Sequence, residues 1–326
     1  MVYKDKPNNT EFKGDSNIYN KQQYKIINNV QKSARTVLSN IYNDILKEVY
    51  YNNKKFTISK DNPYLINLNE KVFNIAYSNV VSIICESFKI DKSKIEALNL
   101  KLKKFDHKRF KNDLVVGLYE NGEVSINFRY QINNELRVIK DISKRPHTFD
   151  EFINNLNGKY QEYSKNFWNA LIGLYAISLH EIFHFIQDNF IFDEENKKDK
   201  TNKFLFIEGS AMYFDIYLES LIKMGLEGLN REFNRKVLFM ETFRKFIKNK
   251  ELPYKWDDDH RYGMLLFTIF SKSYKMNIFD FVRFTKELSK KDILEDLKLI
   301  KLAETNYKKE IEVLSLELNM HLKMRR

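Results

Sequence analysis

Residues 180–184 read His180-Glu181-Ile182-Phe183-His184, an H-E-x-x-H pattern inside a long apolar segment. Each residue of an α-helix turns the chain by about 100°, so a step of four residues returns to nearly the same face. His180 and His184 therefore project together, and their imidazoles can share one metal ion. Glu181 lies about 100° further round, where it can reach a metal-activated water molecule without being a ligand. The pattern predicts a zinc site with Glu181 as general base.

The residues around the pattern are mostly apolar, both at 167–177 before it and at Phe185 and Ile186 after it. An unpaired histidine or carboxylate in such a helix would lose its hydration without compensation. A metal-ligand role removes that cost. The alternative is a pair of core histidines whose ring nitrogens bond to carbonyl groups.

A third ligand is expected from a second element, and the candidate is Glu208 in the segment F-I-E-G-S-A-M-Y at residues 206–213. An H-E-x-x-H pattern followed some two dozen residues later by E-G-x-A resembles the gluzincin metallopeptidases, which include thermolysin-like and M1-type aminopeptidase-like enzymes. The resemblance covers about residues 165–290. It implies a zincin-like catalytic core with Glu208 as the third zinc ligand. Gly209 costs a helix about 1 kcal/mol relative to alanine, which a close approach to the metal helix would explain.

Zinc-bound histidines usually donate their second ring proton to a carboxylate or a carbonyl group. Two aspartates are candidates for this role, Asp215, seven residues after Glu208, and Asp188, four residues after His184. Thermolysin-like gluzincins often carry an aspartate four residues after the third ligand. Met212 occupies that position here, so the orienting group is left open between the two aspartates.

Hydrolysis of a peptide also needs a hydrogen-bond donor for the developing oxyanion. M1-type gluzincins use a tyrosine three residues before a glycine that opens a later helix, and the similar position here is His260, three before Gly263. Tyr262 is the competing candidate, and Arg261 could instead bind a substrate carboxylate. The alternative is that this stretch is only the capped start of a helix, where Asp257–Asp259 would meet the helix dipole.

Composition indicates a mainly α-helical α+β fold with a small antiparallel sheet. The chain has 326 residues, 43% of them hydrophobic, and only nine Gly and four Pro, which favours long regular elements and a substantial core. Its one cysteine, Cys85, is predicted to be a buried small hydrophobe. We predict a disordered lead-in at residues 1–15, an N-terminal helical region at 16–105 and a zincin-like catalytic domain at 106–326.

Hydrophobic periodicity and turn residues place the individual elements. Helices are predicted at 17–51, 63–88, 92–104, 160–190, from Glu208 to near Gly225, and at 237–248. Further helices are predicted to begin after residues 148, 257 and 277, and the tail from Lys291 is predicted to be helical. A hairpin is predicted from strands 114–119 and 124–130 around Asn121-Gly122, with a third strand at 136–139 and a surface loop at 193–202. The sheet could present an edge to an extended peptide, or it could simply cover the core.

The net charge of +11 raises the question of acidic partners. The densest basic segment, residues 101–111, could bind nucleic acid or membrane headgroups, but a solvated face is favoured because the lysines are spread along the chain and no nucleic-acid motif accompanies them.

No P-loop, dinucleotide fingerprint, C-x-x-C or G-x-S-x-G motif occurs. The N-terminus lacks the apolar core of a secretory signal and no transmembrane segment is predicted, so we expect a cytoplasmic protein and disfavour an intramembrane protease.

These observations predict a zinc-dependent metallopeptidase that acts on a peptide or protein substrate. Within the same chemistry, the alternative is a zinc amidase acting on a non-peptide amide. From a different class, the alternative is a basic nucleic-acid-binding or interaction protein whose metal site is structural or degenerate.

Overall fold

The computed structural model describes residues 19–59, 61–106, 115–192, 200–239, 259–289 and 316. This part of the chain is mostly helical and carries one small sheet. In chain order the elements are α1 Lys21–Tyr51, α2 Pro63–Phe88, α3 Lys92–Glu96, β1 Lys101–Lys103, β2 Gly117–Glu120, β3 Glu123–Ile126, α4 Phe128–Ile142, α5 Phe149–Asn157, α6 Gln161–Ile186, α7 Lys200–Phe239, α8 Asp259–Ser273 and α9 Ile278–Ser289. The predicted lead-in at 1–15 and the tail from Lys291 lie outside the described residues, apart from residue 316.

The two long N-terminal helices are confirmed, and local sequence explains where each begins. Asn20 accepts from the backbone N–H of Gln23 at 2.9 Å and its own N–H donates to the Gln23 side chain at 3.2 Å, a reciprocal cap that starts α1. Pro63 is the first residue of α2, where its missing N–H costs no hydrogen bond. Both helices contribute their apolar faces to the same buried cluster as α6.

The helix predicted at 92–104 is wrong beyond its first turns. α3 ends at Glu96, and Asn99 adopts a φ of 51°, a left-handed conformation that stops a helix. Residues 101–103 form β1 instead, which pairs in parallel with β3. Two lysines of the predicted basic segment are ion-paired, Lys103 with Glu123 and Lys104 with Asp61, each at 2.7 Å.

The hairpin and its turn are confirmed, because Asn121 and Gly122 both take the positive φ that a tight turn between β2 and β3 requires. The strand predicted at 124–130 is wrong beyond Ile126, because β3 ends there and residues 128–130 begin α4. The prediction of an antiparallel sheet is wrong, since the order is β1-β3-β2 and β1 is parallel. The third strand predicted at 136–139 is also wrong, because these residues belong to α4. Three buried residues of α4 recur at helical spacing, Ile132, Leu136 and Ile139, and this periodicity outweighs the local β propensity.

α6 is the central helix, and it contacts α1, α2, α4, α5, α7 and the β2–β3 hairpin. The helix predicted after residue 148 is confirmed as α5, and reciprocal bonds between Thr148 and Glu151 cap its start. At its C-terminal end α6 continues as a π-helical turn, Gln187–Ile191. By length and hydropathy Gln161–Ile191 is a candidate membrane span, and 72% of its most apolar window is buried inside the protein.

α7 is broken at Gly225, whose φ of 73° and ψ of −179° are not helical, as the sequence predicted. Helical residues resume directly after the break, earlier than the predicted start at 237. Residues 193–199 of the predicted loop lie outside the described residues, and the loop prediction is wrong at 200–202, which already belong to α7. The end of the predicted helix at 237–248 lies outside the described residues. The buried cluster includes side chains from both sides of residue 105, and the domain boundary there stays a prediction.

Gly209 permits a close helix crossing, but its partner is not the metal helix as predicted. A Cβ at Gly209 would collide with the Cα and carbonyl carbon of Gly263 and lie 2.9 Å from its carbonyl oxygen. α7 and α8 therefore cross backbone to backbone at two glycines. The crossing brings the first turn of α8 next to Glu208.

Gly209→Ala should destabilise the fold by about 1–3 kcal/mol, because the obstructing atoms are backbone and cannot move aside. Gly173→Ala in α6 is the matched control, since its added methyl would meet the flexible end of the Gln131 side chain. That control should be neutral or gain up to about 1 kcal/mol from helix propensity. Urea unfolding of both variants measures the difference, and equal stabilities would contradict the glycine crossing.

Candidate metal centre

Two helices bring three potential ligand atoms together. α6 presents the Nε2 atoms of His180 and His184, and Oε2 of Glu208 in α7 lies 3.2 Å from the first and 3.3 Å from the second. The three ligand atoms all lie within 4.8 Å of one another. The side chains are 12–19% exposed, so the cluster is shielded yet reachable. The structure thus brings together the three residues that were predicted to bind zinc.

The second nitrogen of each imidazole is committed to a different partner. Nδ1 of His180 lies 2.8 Å from Oδ2 of Asp215, and Nδ1 of His184 lies 2.7 Å from Oε1 of Gln187. Both partners are oxygen acceptors, so each Nδ1 donates, and each Nε2 faces Glu208 and carries a lone pair when the ring is neutral. Three acceptor atoms thus converge, and a cation must neutralise them, either as protons on the imidazoles or as a shared metal ion.

The electrostatics of the ligands reflect this convergence. Burial alone would lower the pKa of His180, but hydrogen bonds to Asp215 and Glu208 outweigh burial and raise this pKa well above its ordinary value. Burial alone would raise the pKa of Glu208, yet the three histidines around it hold that pKa far below its usual range. Burial raises the pKa of Asp215, which the adjacent His180 partly offsets. The site as a whole favours bound positive charge beside an ionised Glu208.

Glu181 is 6% exposed and lies against strand β2. A Cβ at Gly117 would come within 2.5 Å of Oε1 and 2.8 Å of Cγ of Glu181, so a larger residue here would have to displace this carboxylate. Burial raises the pKa of Glu181, and the nearby His180 and His184 counteract the rise. A raised pKa makes a carboxylate a stronger proton acceptor at neutral pH.

His260 joins the cluster from the first turn of α8. Its Nε2 lies 3.0 Å from Oε2 of Glu208, and its ring stacks beside that of His180 with centroids 6.1 Å apart. The side chain is 54% exposed, so it stands at the rim of the site. Arg261 lines the same cleft. The side chain of the competing candidate, Tyr262, lies outside the described residues.

The two predicted orienting aspartates lie in different places. Asp215 lies two helical turns beyond Glu208 and bonds to His180. Met212 occupies the position where thermolysin-like enzymes often carry an aspartate, and it lines the cleft. Asp188 lies beside the hydroxyl of Tyr119 instead. Burial and the Asp188 carboxylate raise the pKa of that hydroxyl to about 12. The acceptor at His184 is therefore Gln187.

The site opens into a cleft of about 610 Å³. One wall is strand β2, an edge of the described sheet, and the other walls come from α6, α7 and α8. Asn127 donates its N–H to the carbonyl of Val116 at 2.9 Å, which sets the alternation of the ladder. By that alternation Gly117 and Tyr119 direct their main-chain groups away from β3. The cleft thus offers backbone donors and acceptors next to the histidines.

Sequence reasoning missed Gln187 and Gly117. Gln187 lies three residues after His184, a spacing that places two side chains side by side on a helix, and this signal could have identified it. Gly117 interrupts an apolar strand, which often marks a close approach of another group. Nothing in the local sequence shows that Glu181 is that group, because the two residues meet only in the fold.

The chain matches no protein-family model, no curated protein and no solved structure. Its function is therefore inferred from the side chains themselves.

Proposed function

We propose that this chain is a zinc-dependent metallopeptidase with a gluzincin-type site in a zincin-like core. The observation that carries the proposal is the convergence of His180 Nε2, His184 Nε2 and Glu208 Oε2, with both Nδ1 protons already committed elsewhere. The buried carboxylate of Glu181 beside this cluster supplies the proton acceptor that distinguishes a hydrolytic site from a structural one.

The donor set fits zinc in its chemistry and in the two distances that involve Glu208. Two imidazoles and one carboxylate are typical catalytic zinc ligands, and they leave a fourth position open. Ligand atoms about 2.0–2.1 Å from a tetrahedral ion are about 3.3–3.4 Å apart, close to the 3.2 Å and 3.3 Å between Glu208 and the two histidines. Zinc, when bound, supplies a Lewis acid that polarises the scissile carbonyl and activates a water molecule.

Each remaining residue has one step to perform. Glu181 accepts the proton of the attacking water and passes it to the leaving amine, so that the amine departs neutral. His260 donates a hydrogen bond to the oxygen on which negative charge develops. Asp215 holds the His180 ring in position through the 2.8 Å bond to Nδ1.

The substrate is held as an extended strand along β2. Gly117 lies directly opposite Glu181, so its main-chain groups can fix the peptide next to the scissile bond, and those of Tyr119 can fix it two residues further along. Ile177 and Met212 add an apolar wall that can receive a substrate side chain.

Two alternatives use the same chain differently. A zinc amidase would employ the same ligands and Glu181 on a compact amide, and the long wall formed by β2 favours a peptide instead. A basic interaction protein would need free cations, whereas Lys103 and Lys104, in the described part of the densest basic segment, are paired with carboxylates. Comparing hydrolysis of a peptide library with hydrolysis of a panel of small amides distinguishes the peptidase from the amidase. Salt-dependent binding of nucleic acid would identify the interaction protein.

The purified protein should bind about one zinc ion per chain, and His184→Ala should abolish stoichiometric binding because it removes one of three protein ligands. The matched control is His147→Ala, at an exposed histidine before α5. Elemental analysis after dialysis gives the zinc content. Full zinc content in His184→Ala would refute the ligand set.

Glu181→Gln should retain zinc and the fold but lose peptide hydrolysis by roughly 10²-fold to 10⁴-fold, because the amide cannot accept the proton. Turnover of the zinc-loaded variant is compared with wild type, with circular dichroism as the check on folding. Unchanged turnover would assign the general base to another residue.

His260→Ala should lower kcat by roughly 10²-fold to 10³-fold with little change in KM or zinc content, the pattern of an interaction made mainly in the transition state. Tyr262→Phe tests the competing hydroxyl. A large loss of kcat in Tyr262→Phe beside near-normal His260→Ala would give the role to the tyrosine.

A further inference from the structure

We infer that Gln187 is a positioning residue that fixes His184 in the Nδ1–H tautomer, so that its Nε2 carries the lone pair for zinc. This inference rests on the proposed function, and it concerns an uncharged residue that does not line the cleft. Gln187 is the first residue of the π-helical turn that follows α6, and its side chain is 1% exposed.

The Gln187 side chain bonds to both elements that carry the zinc ligands. Its Oε1 lies 2.7 Å from Nδ1 of His184. Its Nε2 donates to the carbonyl of Ile207 at 2.9 Å and to Oγ of Ser210 at 2.7 Å. The hydroxyl proton of Ser210 is directed to the carbonyl of Phe206 at 2.8 Å, so its oxygen is available to accept.

These partners fix the orientation of the amide. A backbone carbonyl can only accept, so the group facing Ile207 must be the NH₂ end of Gln187. The amide oxygen then faces His184, and because an amide oxygen can only accept, Nδ1 of His184 must carry a proton. A neutral imidazole protonated at Nδ1 leaves Nε2 unprotonated, which is the form that binds a metal.

The same amide links the two ligand-bearing helices. Ile207 and Ser210 flank Glu208 in α7, while His184 lies in α6, so one side chain fixes the spacing of two ligands from different elements. Pre-set spacing reduces the conformational entropy that metal binding must overcome.

A neutral amide also limits the negative charge at the site. Glu181, Glu208 and Asp215 already surround the histidines. A fourth carboxylate at position 187 would increase the electron donation from His184 and weaken the Lewis acidity of the metal. It would also face the carbonyl oxygen of Ile207 at hydrogen-bond distance without a proton to donate.

Two substitutions separate these contributions. Gln187→Met has a similar length but no acceptor for His184. Gln187→Glu keeps the acceptor and loses the donors to Ile207 and Ser210. The matched control is Asn189→Ala, on the same π-helical turn, whose exposed amide donates to the carbonyl of Phe185 at 2.8 Å and touches neither ligand.

The first measurement is long-range ¹H–¹⁵N NMR of histidine-labelled, metal-free protein at alkaline pH, which reads the tautomer directly. His184 should be protonated at Nδ1 in wild type, Asn189→Ala and Gln187→Glu, and should lose this preference in Gln187→Met. The second measurement is zinc affinity by chelator competition. Gln187→Met should bind zinc about 10-fold to 100-fold more weakly than wild type, and Asn189→Ala should match wild type.

An Nδ1–H tautomer and wild-type zinc affinity in Gln187→Met would overturn the role of Gln187 while leaving the proposed function intact. A wild-type protein that binds no zinc would overturn the proposed function. The tautomer of His184 would still test the hydrogen bond between His184 and Gln187. If Gln187→Met does not fold, the test rests on Gln187→Glu, which keeps the acceptor for His184. Loss of the Nδ1–H tautomer in folded Gln187→Glu would contradict the inference.

Discussion

Three lone-pair-bearing atoms converge between α6 and α7, and this constraint governs the rest of the site. Because Asp215 and Gln187 take the Nδ1 protons, His180 and His184 cannot relieve the convergence by changing tautomer. Glu208 adds a carboxylate oxygen at 3.2–3.3 Å from both rings. Such an arrangement is stable only with positive charge at its centre, since buried acceptors without a donor or cation are costly.

Glycines allow the other elements to approach this centre. Gly117 lets strand β2 lie against Glu181, and the contact between Gly209 and Gly263 lets α8 bring His260 to Glu208. The chain has only nine glycines in 326 residues, so three of them at one site indicate that close backbone approach is required there. The edge strand, the carboxylate and the rim histidine are positioned by these contacts.

The elements set by local spacing could be predicted from sequence, and those set by distant contacts could not. Helical periodicity placed His180 and His184 on one face, and the Asn121-Gly122 turn gave the hairpin. β1 was missed because its parallel pairing with β3 leaves no local signal in a lysine-rich segment. Glu208 was found only by resemblance, and the crossing partner of Gly209 was assigned to the wrong helix because Gly263 lies far away in sequence.

His180, His184 and Glu208 are proposed to bind zinc together. X-ray absorption at the zinc K-edge of the zinc-loaded protein tests it most directly, because it counts and identifies the atoms around the ion. We expect two imidazole nitrogens, one carboxylate oxygen and one solvent oxygen at about 2.0–2.1 Å. A sulfur neighbour, a shell of water alone, or a protein that retains no zinc would contradict it.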